Sequence, residues 1–122
     1  MNGAKLLVDT NVIIYHLAGN KKIETILDGA LVYISSITFA ELLAGNIPEK
    51  DSKTLDEYLK AVHVIHTNDF ICETAAAIRK NQKIKLPDAL IAATSIFLGL
   101  PLVTFDNDFD KINDLKIIKL TS

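Results

Sequence analysis

The stretch Lys5-Leu6-Leu7-Val8-Asp9-Thr10-Asn11 is an apolar run that breaks into three polar residues. A run without polar alternation reads as a strand buried on both faces, as in a parallel sheet covered by helices. Its end puts the Asp9 carboxylate at the C-terminal edge of that strand, where open α/β sheets build active sites. Immediately downstream, residues 11–18 change to helical spacing and Gly19-Asn20 stops them.

The same strand-then-helix grammar continues along the chain. Residues 22–27 form a short amphipathic helix closed by Asp28-Gly29, and residues 31–34 form a second buried strand. Ser35-Ser36 offers an N-cap for a helix over 37–44, which Gly45 ends. After a polar loop at 47–52, Leu55, Tyr58, Leu59 and Val62 mark one face of a helix, and residues 62–66 read as a third strand. His63 and His66 fall on opposite faces of that strand, which argues against a His-His metal pair. Residues 69–81 are helical, with Ile71, Thr74, Ala75 and Ile78 inward, and Leu86-Pro87-Asp88 resets the chain. Residues 89–98 are apolar almost all round and predict a buried helix. Residues 100–104 and 116–120 supply the fourth and fifth strands, with a turn or short helix at 106–111. Strands alternating with helices predict an α/β fold, a mostly parallel five-stranded sheet covered on both faces, in one domain over 1–122.

A chain of 122 residues can bury about two thirds of its unfolded surface. The hydrophobic share is 49%, rich in Leu, Ile, Val and Ala, which predicts either a large core or a buried dimer face. A net charge of −2 gives no overall pull toward nucleic acid, so such a role requires a local basic patch or a bound cation. One patch exists at Arg79, Lys80, Lys83 and Lys85; the same residues also read as a solvated helix end. The single Cys72 excludes an intrachain disulfide. No stretch reads as a signal peptide or membrane span, so the expected location is the cytoplasm.

Three further acids stand where Asp9 does, at the edge of apolar elements. Glu41 lies in the apolar helix 37–44, Asp88 opens the helix after Pro87, and Asp106 follows Val103-Thr104-Phe105 at a strand end. Each alone reads as readily as a cap, a first-turn acid or an Asx-turn. Together, an acid from each of four α/β units can point at one crevice. Hard oxygen donors in that number suit Mg²⁺ or Mn²⁺ rather than Zn²⁺, and one or two such ions serve phosphodiester hydrolysis best.

Leu7-Val8-Asp9-Thr10-Asn11-Val12, the segment 37–45, Pro87-Asp88-Ala89-Leu90-Ile91-Ala92-Ala93-Thr94 and Leu102-Val103-Thr104-Phe105-Asp106-Asn107-Asp108-Phe109 occur in an order that resembles PIN-domain nucleases. The resemblance is to the VapC-type toxins of toxin–antitoxin pairs and spans essentially the whole chain. It implies a three-layer α/β/α sandwich, Mg²⁺- or Mn²⁺-dependent endoribonuclease activity, and a homodimer held inactive by an antitoxin protein. It implies that Asp9, Glu41, Asp88 and Asp106 are the catalytic, metal-binding acids. Thr10, Asn11 and Thr104 would orient carboxylates or water. Asp106, Asp108 and Asp110 compete for the last position; Asp106 is nearest the strand end, and Asp108 would bind through water. The RNA would be held by Arg79, Lys80, Lys83 and Lys85.

Rival readings fit less well. A haloacid-dehalogenase-like phosphatase needs a second acid where this chain has Asn11, and a receiver domain needs a paired acid and a central phosphoacceptor. Neither a Gly-rich turn nor a P-loop follows any strand. A catalytically silent PIN-like RNA-binding or protein-interaction module is the non-enzymatic alternative, with the acids serving as caps.

Overall fold

β1 (Lys5–Val8) is the central strand of a five-stranded sheet in the computed structural model, which describes residues 3–45 and 47–121. Leu6, Leu7 and Val8 have no exposed surface, so this strand has water on neither face. At about 1.5–3 kcal/mol for each large apolar side chain fully buried, the segment strongly favours the middle of the sheet over an edge.

The chain continues through α1 (Thr10–Leu17), α2 (Lys21–Leu27), β2 (Leu31–Ser35), α3 (Ser36–Ala44), α4 (Ser52–Ala61) and β3 (His63–Ile65). It then returns across the sheet through α5 (Asp69–Asn81) and α6 (Leu86–Leu98) to β4 (Leu102–Thr104) and β5 (Ile117–Lys119). Short 3-10 turns precede α4 at Glu49–Asp51 and follow β4 at Asn107–Lys111. The strand order is β3-β2-β1-β4-β5, and every neighbouring pair is parallel. The expectation of a mostly parallel sheet is thus met by one that is parallel throughout.

Side-chain alternation along the strands divides the core in two. Leu7, Leu102, Tyr33 and Ile117 face one layer with Ile71 and Ala75 of α5 and Ala89, Ile91, Ala92 and Ala93 of α6. Leu6, Val8, Ile34 and Val103 face the other, with Val12 and Ile13 of α1, Ile23 and Leu27 of α2, Leu42 of α3 and Leu55 of α4. Period-two geometry sends alternate residues to opposite faces, which produces the three layers. No helix among the described residues is long and apolar enough to cross a membrane.

One boundary moves in a way that matters. The sequence places the buried helix over 89–98, but α6 begins at Leu86, with Lys85 at the N-cap and Pro87 inside the first turn. Proline is tolerated there because first-turn N–H groups lack intrahelical partners. Asp88 is therefore a first-turn acid and not the cap itself. At the other end Gly99 takes φ 67°, the left-handed conformation that closes a helix with little strain.

Because β1 connects toward β2 and β4 connects toward β5, the chain leaves these adjacent strands in opposite directions. Their C-terminal ends flank the topological switch point, where such sheets open a crevice. Asp9 follows β1 and Asp106 follows β4.

Candidate active site

Asp9 is the N-cap of α1, and its backbone N–H donates to the Val103 carbonyl at 3.0 Å. Its Oδ1 accepts the Thr10 N–H at 2.9 Å and its Oδ2 accepts the Thr104 hydroxyl at 2.7 Å. The residue is 7% exposed. Each oxygen has a second lone pair, so capping and cation binding do not compete for the same electrons.

Thr104 is fully buried at the end of β4 and links two acids. Its Oγ1 donates to Asp9 and accepts the Asp106 N–H at 3.0 Å. Asp106 then caps the following 3-10 turn, with Oδ1 accepting the Asp108 N–H at 2.8 Å. The other acids of this segment are turned to lysines: Asp110 pairs with Lys119 at 2.7 Å, and Asp108 with Lys111 at 3.8 Å.

Glu41 is exposed on α3, and its Oε1 lies 2.7 Å from Thr10 Oγ1. That hydroxyl is also 3.0 Å from Oγ1 of the buried Thr38. A hydroxyl has one proton; here it goes to the carboxylate, the stronger acceptor. Sequence reasoning missed Thr38, although its spacing to Glu41 puts both on one helix face.

Like charges tie the four acids into one electrostatic neighbourhood. Burial, and then repulsion from Asp9, Asp106 and Glu41, pushes the Asp88 carboxyl up to about 6, against the pull of Lys85. Burial also raises Asp9; the hydrogen bonds from Thr104 and Thr10 oppose this, while Asp106 and Glu41 add to it. The start of a helix normally favours an acid by about 0.3–1 kcal/mol, so at Asp88 burial and its neighbours outweigh the dipole. Carboxylates gathered so that the charged forms of Asp9 and Asp88 are disfavoured offer hard oxygen donors, which fit a divalent cation of the Mg²⁺ or Mn²⁺ type. Among the described residues no three Asp, Glu, His or Cys side chains already form a set that could hold a metal ion, so binding one requires the acids to rearrange.

Asn11 is exposed and lies outside this network, lining a groove with Tyr15, Phe105 and Asn107. Of the basic residues, Arg79, Lys83 and Lys85 surround one open cavity of about 430 Å³, with Asp108 and Lys111. Lys80 does not line it, and Lys111 joins from the 3-10 turn, a position that carries no local sequence signal. Neither His63, stacked on Tyr33 with ring centroids 4.8 Å apart, nor His66 joins the acids.

These features define an open, all-parallel α/β domain with an acidic cluster at its switch point. The chain belongs to the PIN-domain family, whose profile matches residues 6–115. It is similar to Ribonuclease VapC2 of Methanocaldococcus jannaschii, 27% identical over 98% of this chain and 97% of that protein. It is also similar to Ribonuclease VapC21 of Mycobacterium tuberculosis, 26% identical over 75% of this chain and 72% of that one. Among solved structures, a toxin–antitoxin complex from Klebsiella pneumoniae superposes with a TM-score of 0.82 at 29% identity, covering 93% of this chain and 96% of that chain.

Proposed function

We propose that this chain is a metal-dependent endoribonuclease, the toxin of a toxin–antitoxin pair, and that the whole of 1–122 is a single PIN domain. The observation that carries the reading is the cluster itself: Asp9 and Asp106 share the Thr104 hydroxyl, while Asp9, Glu41 and Asp106 all raise the pKa of Asp88. Burial and this repulsion both disfavour the ionised Asp88 carboxylate, and a bound cation would offset that cost. The relatives named ribonucleases and the resemblance to a toxin–antitoxin complex support the same reading.

Asp9, Glu41, Asp88 and Asp106 would hold one or two Mg²⁺ or Mn²⁺ ions, and Asp108, paired with Lys111, would reach them only through water. When bound, such an ion supplies Lewis acidity toward the phosphoryl oxygens and acidifies water. Thr104 orients Asp9, and Thr10 orients Glu41 through the shorter of its two hydroxyl contacts. Arg79, Lys83, Lys85 and Lys111 offer positive charge to the RNA backbone beside Asp108. A homodimer would fit the same family reading, and the exposed Phe70 and Phe97, with ring centroids 5.5 Å apart on α5 and α6, offer apolar surface in its support.

Purified protein should degrade RNA with Mg²⁺ or Mn²⁺ and stop with a chelator. An Asp9→Asn, Asp88→Asn double variant should be inactive; equal degradation by the variant would defeat the mechanism. In cells, expression should arrest growth, and co-expression of the cognate antitoxin should relieve the arrest. Arrest by the double variant would argue against nuclease toxicity.

A further inference from the structure

The 3-10 turn after Asp106 divides two cavities. Asp108 lines the basic cavity, whereas Asn107 lines a groove of about 600 Å³ on the other side, walled by Asn11, Ile14, Tyr15, Phe105 and Lys119. The groove is built from the segments that carry the acids, since Asn11 lies two residues beyond Asp9, and Phe105 and Asn107 flank Asp106. None of the four acids lines the groove itself. This adjacency in the chain nevertheless keeps Asn11, Phe105 and Asn107 within two residues of Asp9 or Asp106, so a polynucleotide with a phosphate at the acids has its neighbouring nucleotide within reach of them.

The lining matches a nucleobase. Tyr15 is 49% exposed and meets Phe105 at a ring-centroid distance of 5.2 Å and an interplanar angle of 64°, an edge-on contact that does not cover both ring faces. Every base has a π-face, so an open aromatic ring is a general stacking platform for single-stranded RNA. Two side-chain amides border it. Asn107 Oδ1 accepts Lys119 Nζ at 2.9 Å, which leaves its amide N–H groups to donate. Among the described residues the Asn11 amide has no side-chain hydrogen-bond partner. A smaller cavity of about 280 Å³ continues from the groove past Tyr15 and Phe105 to Lys22, whose ammonium complements a neighbouring phosphate.

We propose that this groove is a base subsite, in which a base next to the scissile phosphate stacks on Tyr15 while Asn11 and Asn107 contact its edge. The proposal rests on the ribonuclease reading above and names how that site selects its substrate. It also gives Asn11 a role different from supporting the first acid.

The test uses a short fluorescein-labelled single-stranded RNA and the metal-free full-length protein, so that binding is read without turnover. Tyr15→Ala should weaken binding roughly five- to hundredfold while Tyr15→Phe keeps it, with unchanged thermal melts showing that both variants fold. With Mg²⁺ present, Tyr15→Ala should slow cleavage of a long RNA at all positions alike, whereas Asn11→Ala should change which bases flank the cleaved positions. Wild-type binding by Tyr15→Ala and unchanged cleavage positions in Asn11→Ala would overturn the subsite. So would a Tyr15→Ala variant that binds RNA normally but no longer binds antitoxin, since the groove would then dock protein. The nuclease reading fails separately, if Asp9→Asn cleaves as wild type does while Tyr15-dependent binding persists.

Discussion

The Thr104 hydroxyl reaches Asp9 Oδ2 at 2.7 Å, joining residues 95 positions apart in sequence at the ends of adjacent parallel strands. The same oxygen accepts the Asp106 N–H, so one buried side chain sets the separation of two acids. Thr104→Val keeps the shape and removes both bonds. We expect a melting loss equivalent to about 1–3 kcal/mol, from buried polar groups left unpaired. Mn²⁺ affinity by calorimetry should fall about 10- to 100-fold, because groups that orient ligands tune affinity on that scale. Thr104→Ser should recover most of both; a Thr104→Val protein with wild-type Mn²⁺ affinity would refute the positioning role.

Cation binding should depend on pH through Asp88. Its carboxyl titrates at about 6, so below that pH an incoming ion must displace a proton, and affinity should fall by roughly tenfold per pH unit. Isothermal titrations at pH 5 and 6 should show proton release on binding that shrinks in Asp88→Asn, with the remainder coming from Asp9.

Stability carries the opposite sign. The folded pKa of Asp88 exceeds the ordinary 3.8, so between those values the folded state holds the extra proton. The Asp88 contribution therefore declines as pH rises from about 4 through 6 and stays low above. Asp9, raised mainly by burial, acts in the same direction, while His16, lowered mainly by burial, acts oppositely near its own range. Melting curves of the metal-free protein should thus lose less stability between pH 4 and 7 in Asp88→Asn than in wild type. Equal pH slopes would contradict the assigned shift.

The basic cavity should contribute through charge. Replacing Lys83 and Lys85 by Gln removes two of the cations around it. RNA affinity should fall at low salt, and the salt dependence should flatten by about 0.7 in log–log slope for each phosphate no longer neutralised. An unchanged slope would place the RNA elsewhere.

Phe109 anchors the turn that carries Asp106 to Asp108, and it is fully buried. Phe109→Ala should cost about 3–5 kcal/mol in chemical denaturation, as expected when a large core side chain is deleted. A loss below about 1 kcal/mol would mean that the turn is not held by this side chain.

Strands, helices and the strand-end acids are legible in the sequence because local patterns encode them. The run at Lys5 to Val8 allows only a strand with both faces covered, and Ser35 and Gly45 bracket α3 as caps. Sequence pattern sets the start of α6 three residues late, because a first-turn proline resembles a break. Thr38 and Lys111 are invisible to it for another reason: Thr38 matters through Thr10 on α1, and Lys111 through a cavity shared with residues near 79–85.

Periodicity and element ends are local properties, and they suffice for the α/β alternation, the burial of β1 and the candidate acids Asp9, Glu41, Asp88 and Asp106, whereas the strand order comes from the fold. Three features come from folding alone: Thr104 holds Asp9 beside Asp106, Lys119 neutralises Asp110, and Asp88 keeps its proton up to about 6. Desolvation and Coulomb repulsion depend on distance through space and on excluded water, and neither is set by separation along the chain.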